Sequence, residues 1–402
     1  MKGIKWIFLI IALITLSFGT SYLERGNVIK AFERFIEGKP DRSDLYLIKS
    51  IGEIINVEPP AYMKFYTRGL LLEKKGNIEG AIDNYLKSIK LNPGYNPSYF
   101  RFNHLIRKVK NPEEFRNRIE SIIKERFSAP PPVLITNPEG KHIFIVEKMS
   151  QYLLIYNGMK LEEIHPVTTG MDWEDKWREG DKRTPEGIYH FTRFIPPRQL
   201  PKMYGGIAVV MNYPNPVDRI LRKGGSGIWL HGSETGDRNK IPFSTRGCVV
   251  AENTSLKEIV KKIRIHNTLI AVYKTVPTGK MPSDVMNFLK EWEKSWEERN
   301  ADRFLSLYSE KFRWKRGGYK EWIRYKKRVI GNKKRISVEI KDLTVLGFWK
   351  ESAEGPEYYV AEFFQRYESD SYSDKGLKRL YIMKEGGKLK IISEEFFREG
   401  RK

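Results

Sequence analysis

The chain has 402 residues, too many for one ordinary hydrophobic core, and its 40% hydrophobic content without low-complexity tracts marks a globular protein of two or three domains. It carries 72 Lys and Arg against 50 Asp and Glu, a formal net charge of +22, and a single cysteine, Cys248. One cysteine and scattered histidines exclude both an internal disulfide framework and a thiolate-based zinc site.

Met1-Lys2-Gly3-Ile4-Lys5 precedes an almost wholly apolar run over 6–18 and then Gly19-Thr20-Ser21, the layout of a secretory signal. Residues 1–21 therefore read as a signal peptide or, uncleaved, as an inner-membrane anchor, although the run is short of the roughly 20 residues of a full span. Either way the remainder is expected in the periplasm or cell envelope. Export sets nucleic acid aside as a partner for the basic surface. An anionic envelope surface, or simply a surface laced with ion pairs, takes its place.

Residues 22–128 carry helical patterning that breaks into pairs. The clearest pair is 66–77 followed by 81–93, with Gly69 and Ala81 small enough for close helix packing, a turn at Gly76-Asn77 and a stop at Asn92-Pro93. This pair resembles one tetratricopeptide repeat, and 28–36, 44–55 and 97–109 read as its degenerate helical neighbours, as a stack requires. The resemblance implies a scaffold or a docking surface for envelope protein partners.

Pro130-Pro131-Pro132 cannot continue a helix and marks a boundary. From 131 to 276 short apolar runs at 143–148, 152–156, 167–170, 187–191, 228–231 and 269–273, separated by Gly and Pro, predict a mostly β sandwich or barrel. A linker is expected over 277–283. From 284 to 400 the pattern changes to helix at 285–296, a second helical piece through Phe304, Leu307 and Tyr308, and then alternating runs at 336–340, 358–367, 378–382 and 388–392. Helices followed by an antiparallel sheet make an α+β module, and its order and spacing resemble the cone-shaped nuclear-transport-factor-2-like fold. The aromatics Trp292, Trp296, Trp314, Trp322, Tyr359, Phe363 and Tyr367 read as core, with a ligand or glycan pocket as the alternative.

The chemistry-bearing signal lies between these two helical signals. Cys248 sits in Ser244-Thr245-Arg246-Gly247-Cys248, downstream of Leu230-His231-Gly232. A lone thiol in an exported chain has no disulfide partner, and a histidine within reach raises its thiolate fraction, so a nucleophile served by a base is the reading that explains it. The other histidines, His104, His142, His165, His190 and His266, have no metal-ligand spacing and read as surface or core. Gly224-Gly225-Ser226-Gly227 lacks the Lys-Ser/Thr that a phosphate loop requires and reads as a turn. The segment 171–177 reads as a loop, either bordering the active cleft or an ordinary surface loop.

The His231-to-Cys248 spacing with Ser-x-x-Gly before the cysteine resembles the active-site motif of the L,D-transpeptidase (YkuD) family. Thr184-Pro185-Glu186-Gly187 is similar to that family's Thr-Pro-x-Gly strand start, and Tyr213-Pro214-Asn215 with Asp218 is similar to a stretch of its murein-acting members. The resemblance spans about 133–276 and implies catalytic roles for Cys248 and His231. It also implies oxyanion or loop roles for Gly247, Arg246, Ser244 and Gly232, with the Gly232 region fixing the imidazole tautomer. Substrate-binding roles fall to Arg246, Tyr213, Asn215 and Arg183. One position departs from the commoner pattern, which has histidine where this chain has Arg246; arginine is no base at neutral pH, so Arg246 is read as a carboxylate binder or a support for the thiolate. The implied activity is transpeptidation of peptidoglycan stem peptides, with no cofactor and no metal. The alternatives are a hydrolase or amidase that trims stems or releases tethered protein, and a cell-wall scaffold.

Overall fold

The computed structural model describes residues 60–399 apart from 137, 278–280, 315–316 and 350–355, together with residue 34. The expected signal, the helical segments 28–36 and 44–55 and the middle of the expected linker thus lie outside the described residues. Among the described residues no helix is long and apolar enough to cross a membrane. The chain divides into two compact units, Met1–Glu125 and Arg126–Lys402.

The first unit is helical: α1 Ala61–Lys74, α2 Ile78–Leu91, α3 Asn96–Leu105 and α4 Pro112–Arg126, whose last residue falls beyond the boundary. The hairpin expected around Gly76-Asn77 is present. Gly76 adopts φ +78°, and the Asn77 side chain accepts from the Gly80 amide to cap α2. Gly69 allows the close approach, because a side chain there would run into the Tyr85 ring.

The second unit contains a closed barrel and a curved sheet. The barrel strands are β2 His142–Glu147, β3 Tyr152–Asn157, β4 Lys160–Thr168, β5 Gly187–Phe194, β6 Ala208–Met211, β7 Trp229–His231, β8 Val249–Ala251 and β9 Leu269–Tyr273, in the spatial order β2-β3-β4-β8-β7-β6-β5-β9. Closure explains why most of these strands are buried along their length and read as apolar runs. Phe144, Leu153, Tyr189, Val209, Leu230, Val249 and Ile270 are among its fully enclosed core residues. Strands β6 and β8, each of four residues or fewer, escaped the periodicity reading.

The C-terminal part packs α7 Asp284–Glu297, α8 Ala301–Ser306 and α9 Tyr319–Gly331 into a sheet of order β1-β12-β13-β14-β15-β10-β11. Its strands are β1 Leu134–Ile135, β10 Tyr308–Trp314, β11 Gly317–Gly318, β12 Ile336–Phe348, β13 Tyr358–Ser369, β14 Tyr372–Glu385 and β15 Lys388–Arg398. Tyr308 therefore begins a strand; the helical piece expected through it ends at Ser306, and α9 was not anticipated. Register shifts at Lys341/Thr344 and Tyr381/Ile382 bend the long strands into a cone. Leu134–Ile135, expected in the catalytic domain, instead pairs with Leu346 and Val345 at the edge of this sheet.

Barrel and cone are joined by buried polar contacts. Arg379 on β14 has no exposed surface; its guanidinium bonds to Glu362 and Glu395 of the cone, to His190 Nδ1 of β5 at 2.8 Å and to the His266 carbonyl. Lys141 pairs with Glu362 at 2.7 Å, the Ile188 amide donates to the Tyr358 hydroxyl at 2.7 Å, and the Tyr273 hydroxyl donates to the Gly347 carbonyl at 2.7 Å. Burial, then Arg379 and His266, hold the His190 imidazole neutral, down to about 2.

This placement predicts acid sensitivity. His190 is depressed in the folded chain and returns to about 6.5 on unfolding, so its contribution is complete above that value and is lost as the pH falls toward 2. Between pH 7 and pH 5 it should remove about 2 kcal/mol of unfolding free energy. Urea unfolding of wild type and His190→Asn at both pH values checks this, and an equal acid loss in the two would refute it.

Candidate active site

The barrel places His231 and Cys248 on neighbouring parallel strands. His231 ends β7 and pairs with Val250 of β8; Cys248 precedes β8 by one residue and Val250 by two, so the two side chains share one face of the sheet. His231 is buried, and its Nδ1 lies 2.5 Å from the Gly232 carbonyl oxygen. A carbonyl only accepts, so Nδ1 carries the proton and Nε2 is left with its lone pair. The tautomer role expected for the Gly232 region is thus visible as a contact. Burial is the main cause that brings the imidazole down to about 4, with Arg238 also lowering it. The Tyr204 ring meets the imidazole edge-on, with centroids 4.7 Å apart.

The Cys248 sulfur is partly open to solvent but closely surrounded, and its thiol lies 3.6 Å from the Gly227 carbonyl oxygen. Desolvation raises the thiol to about 11, opposed by the Trp229 amide, Lys176 and Arg238. The Gly224–Gly227 run is the expected turn, with φ of +86° at Gly225 and +72° at Gly227, and it carries that carbonyl to the sulfur.

The loop before Cys248 is sutured by its own polar groups. Thr245 Oγ1 donates to the Cys248 carbonyl at 2.7 Å and accepts from the Gly247 amide at 3.1 Å. The amide of Gly247 is therefore not open to an oxyanion, contrary to the expectation. Gly247 is instead required by space: it has φ +126°, and a Cβ there would stand 2.6 Å from the Arg183 carbonyl oxygen. Ser244 anchors the loop to β4, its amide donating to Thr168 Oγ1 at 3.1 Å. Arg246 is exposed to solvent.

Three residues expected to bind substrate do other work. Tyr213 is buried and donates to the Gly224 carbonyl at 2.9 Å, bracing the glycine turn. Asn215 is fully buried; it caps α5 Pro216–Ile220 in a reciprocal box with Asp218 and donates to the Ile188 carbonyl at 2.9 Å. Arg183 is occupied by Asp172 at 2.8 Å and by the Asp175 carbonyl at 3.3 Å. The segment 171–177 does border the site, because the Met171 amide donates to the Thr245 carbonyl at 2.9 Å. It is held by three buried lysines: Lys148 on Glu186, Lys176 on Asp181, and Lys223 on both Asp175 and Asp218.

Sequence reasoning missed Tyr204, Trp229, Arg238 and Asn253. Asn253, at the start of α6 Asn253–Ile259, grips the residue after His231-Gly232: its Oδ1 accepts from the Ser233 amide and its Nδ2 donates to the Ser233 carbonyl, both at 2.9 Å. No local pattern marks such residues, since each acts through a contact that only the folded backbone brings together.

A second concave feature lies in the cone, a cavity of about 1700 Å³ bounded also by α5. Trp296, Trp314, Trp322 and Tyr367 line it, whereas Trp292, Tyr359 and Phe363 belong to the core alone. Lys326, 7% exposed, places its ammonium 4.1 Å from the Trp296 ring centroid and 4.8 Å from that of Trp322, and burial brings it down to about 8. Glu394 lines the same space, paired with Lys378 at 2.9 Å. Among the described residues no group of three or more His, Cys, Asp or Glu is placed to hold a metal ion.

Residues 141–281 match the L,D-transpeptidase catalytic domain model (YkuD), and 284–395 match that of the Cds6 C-terminal NTF2-like domain. Among solved structures, Bd1075 of Bdellovibrio bacteriovorus is 27% identical over 68% of this chain and 100% of its own, with a TM-score of 0.57. The helical cell shape determining protein Pgp2 from Campylobacter jejuni is 24% identical over 69% of this chain and 99% of its own, with a TM-score of 0.53. No curated protein matches.

The tight seat of Gly247 generates a prediction. Gly247→Ala should destabilise the chain by about 1–3 kcal/mol and displace the sulfur. Thermal unfolding and the rate of Cys248 alkylation read the two effects; a variant as stable and as reactive as wild type would show that the close approach is dispensable.

Proposed function

We propose that this chain, whose barrel is a YkuD-type catalytic domain, is an exported cysteine L,D-transpeptidase acting on the peptide stems of peptidoglycan, with a part in cell-wall biogenesis and cell shape. The observation that carries the reading is the Nδ1–H tautomer of His231 on the strand beside Cys248, which presents a neutral base on the face of the thiol.

The chemistry follows from that arrangement. As Cys248 Sγ attacks the stem carbonyl, the thiol proton passes to His231 Nε2 and the carbonyl electrons move onto oxygen, where the Arg246 and Cys248 amides face the developing charge. Collapse re-forms the carbonyl and expels the amine, which takes the proton from His231. The thioester then meets a second stem amine, which gives its proton to His231 and displaces Cys248 as a thiolate; the thiolate takes that proton back from His231, leaving a cross-link and the resting pair. Water in place of that amine gives hydrolysis, the trimming or release activity that stands as the alternative. Arg246, solvent-exposed and two residues before Cys248, is suited to a stem carboxylate.

The cone cavity supports a second, binding role, which is also the form the scaffold reading takes. Its aromatic walls, the buried Lys326 ammonium and the Glu394 carboxylate suit a ligand with a sugar or apolar face and both acidic and amino groups, as a peptidoglycan fragment has.

Two experiments test these roles. Incubation of the exported protein with purified stems should give a stem-sized adduct on Cys248 and new cross-linked products, both abolished in a folded Cys248→Ala variant; trimmed stems alone would make the enzyme a hydrolase, and full activity of the variant would end the cysteine mechanism. Lys326→Ala should weaken sedimentation with purified sacculi about tenfold while leaving the rate of Cys248 alkylation unchanged. Undiminished sedimentation would remove the cavity from the binding role.

A further inference from the structure

The two halves of the site lie at opposite ends of the β7–β8 connection, and one residue touches both ends. Ser233 follows His231 by two residues, and Ser244 precedes Cys248 by four. Arg238 lies between them in a short 3-10 turn, Arg238–Lys240. Its backbone amide donates to Ser233 Oγ at 3.4 Å, and its guanidinium donates to the Ser244 carbonyl oxygen at 2.5 Å. Ser233 is itself clamped on both backbone groups by Asn253, and Ser244 is tied to Thr168, so Arg238 bridges two segments that are each already fixed.

We propose that Arg238 is the positioning residue of the Cys248–His231 pair, bracing the histidine end of the β7–β8 connection against its cysteine end and supplying a fixed positive charge at the junction. The proposal rests on the cysteine-nucleophile reading above. A cation there favours the thiolate and disfavours the imidazolium, and both effects have the expected sign at Cys248 and at His231. In the reaction it would help the thiol give up its proton and would press His231 to hand that proton on to the leaving amine.

Arg238 acts on both members of the pair, whereas Lys176, the larger influence on Cys248, acts on that member alone. The Lys176 ammonium is held by Asp181 at 2.7 Å and by the Arg178 carbonyl at 2.9 Å. Arg183 is occupied by Asp172, Arg246 projects into solvent, and Tyr204 offers the imidazole only a ring edge. The electrostatic support that sequence reasoning assigned to Arg246 thus falls to a residue eight positions upstream.

The test compares wild type, Arg238→Gln and Arg238→Lys in the full exported chain, each checked for folding by thermal unfolding. The pH profile of Cys248 alkylation by iodoacetamide is read beside kcat and KM for stems. Arg238→Gln should move the alkylation midpoint upward, slow alkylation at neutral pH about three- to tenfold and lower kcat more than KM; Arg238→Lys, which keeps the charge, should restore the midpoint. An unmoved midpoint in Arg238→Gln, or an equal shift in both variants, would overturn the proposal. If Arg238→Gln does not fold, an Arg238→Lys profile displaced from wild type is the overturning result and an unchanged one the supporting result. A wild type that never forms a stem adduct, yet whose alkylation midpoint still depends on Arg238, would refute the function and leave the positioning role standing.

Discussion

Arg379 has no surface in water, and a desolvated guanidinium persists only where carboxylates and carbonyls take up its donors. Glu362 and Glu395 come from the strands flanking β14, while His190 and the His266 carbonyl come from the barrel. The cation therefore cannot be satisfied by either domain alone. With the Tyr358 hydroxyl at the Ile188 amide and β1 paired into the cone sheet, it makes barrel and cone one packed body.

The same constraint operates one layer from the nucleophile. Lys148, Lys176 and Lys223 are buried, and each is matched to a carboxylate from the 172–186 segment or from Asp218. Surface ion pairs contribute little, but removing one partner of a buried pair strands a charge, so these contacts fix the segment in a single place. That segment backs the cysteine loop through the Arg183 carbonyl against Gly247 and the Met171 amide on Thr245. Three lysines of a chain with a large positive excess thus serve as internal struts.

At the centre, burial acts on uncharged partners. Enclosure keeps His231 neutral and Cys248 protonated, so the resting pair is thiol and imidazole, and charge separates only when a carbonyl arrives to be attacked. The Gly232 carbonyl sets which nitrogen is ready, and the glycine turn at 224–227 sets where the sulfur sits. Helix α5 joins this machinery to the cone: it bounds the cavity, and three residues after it ends the chain enters that turn.

What the amino-acid sequence determined by itself was the local and the repetitive. The helical hairpin around Gly76, the apolar run of β9, the alternation of the long cone strands and the His231–Cys248 spacing could all be read because period, breaker residues and reactive types are properties of neighbours in the chain. Tertiary structure alone decided the rest. Closure of the barrel turned two strands too short to show a period into the walls of the site, and folding engaged Tyr213 and Asn215 with buried carbonyls and Arg183 with Asp172. It also gave Asn253 and Arg379 their roles, because a polar group takes its meaning from partners that folding, not sequence proximity, brings within hydrogen-bond reach.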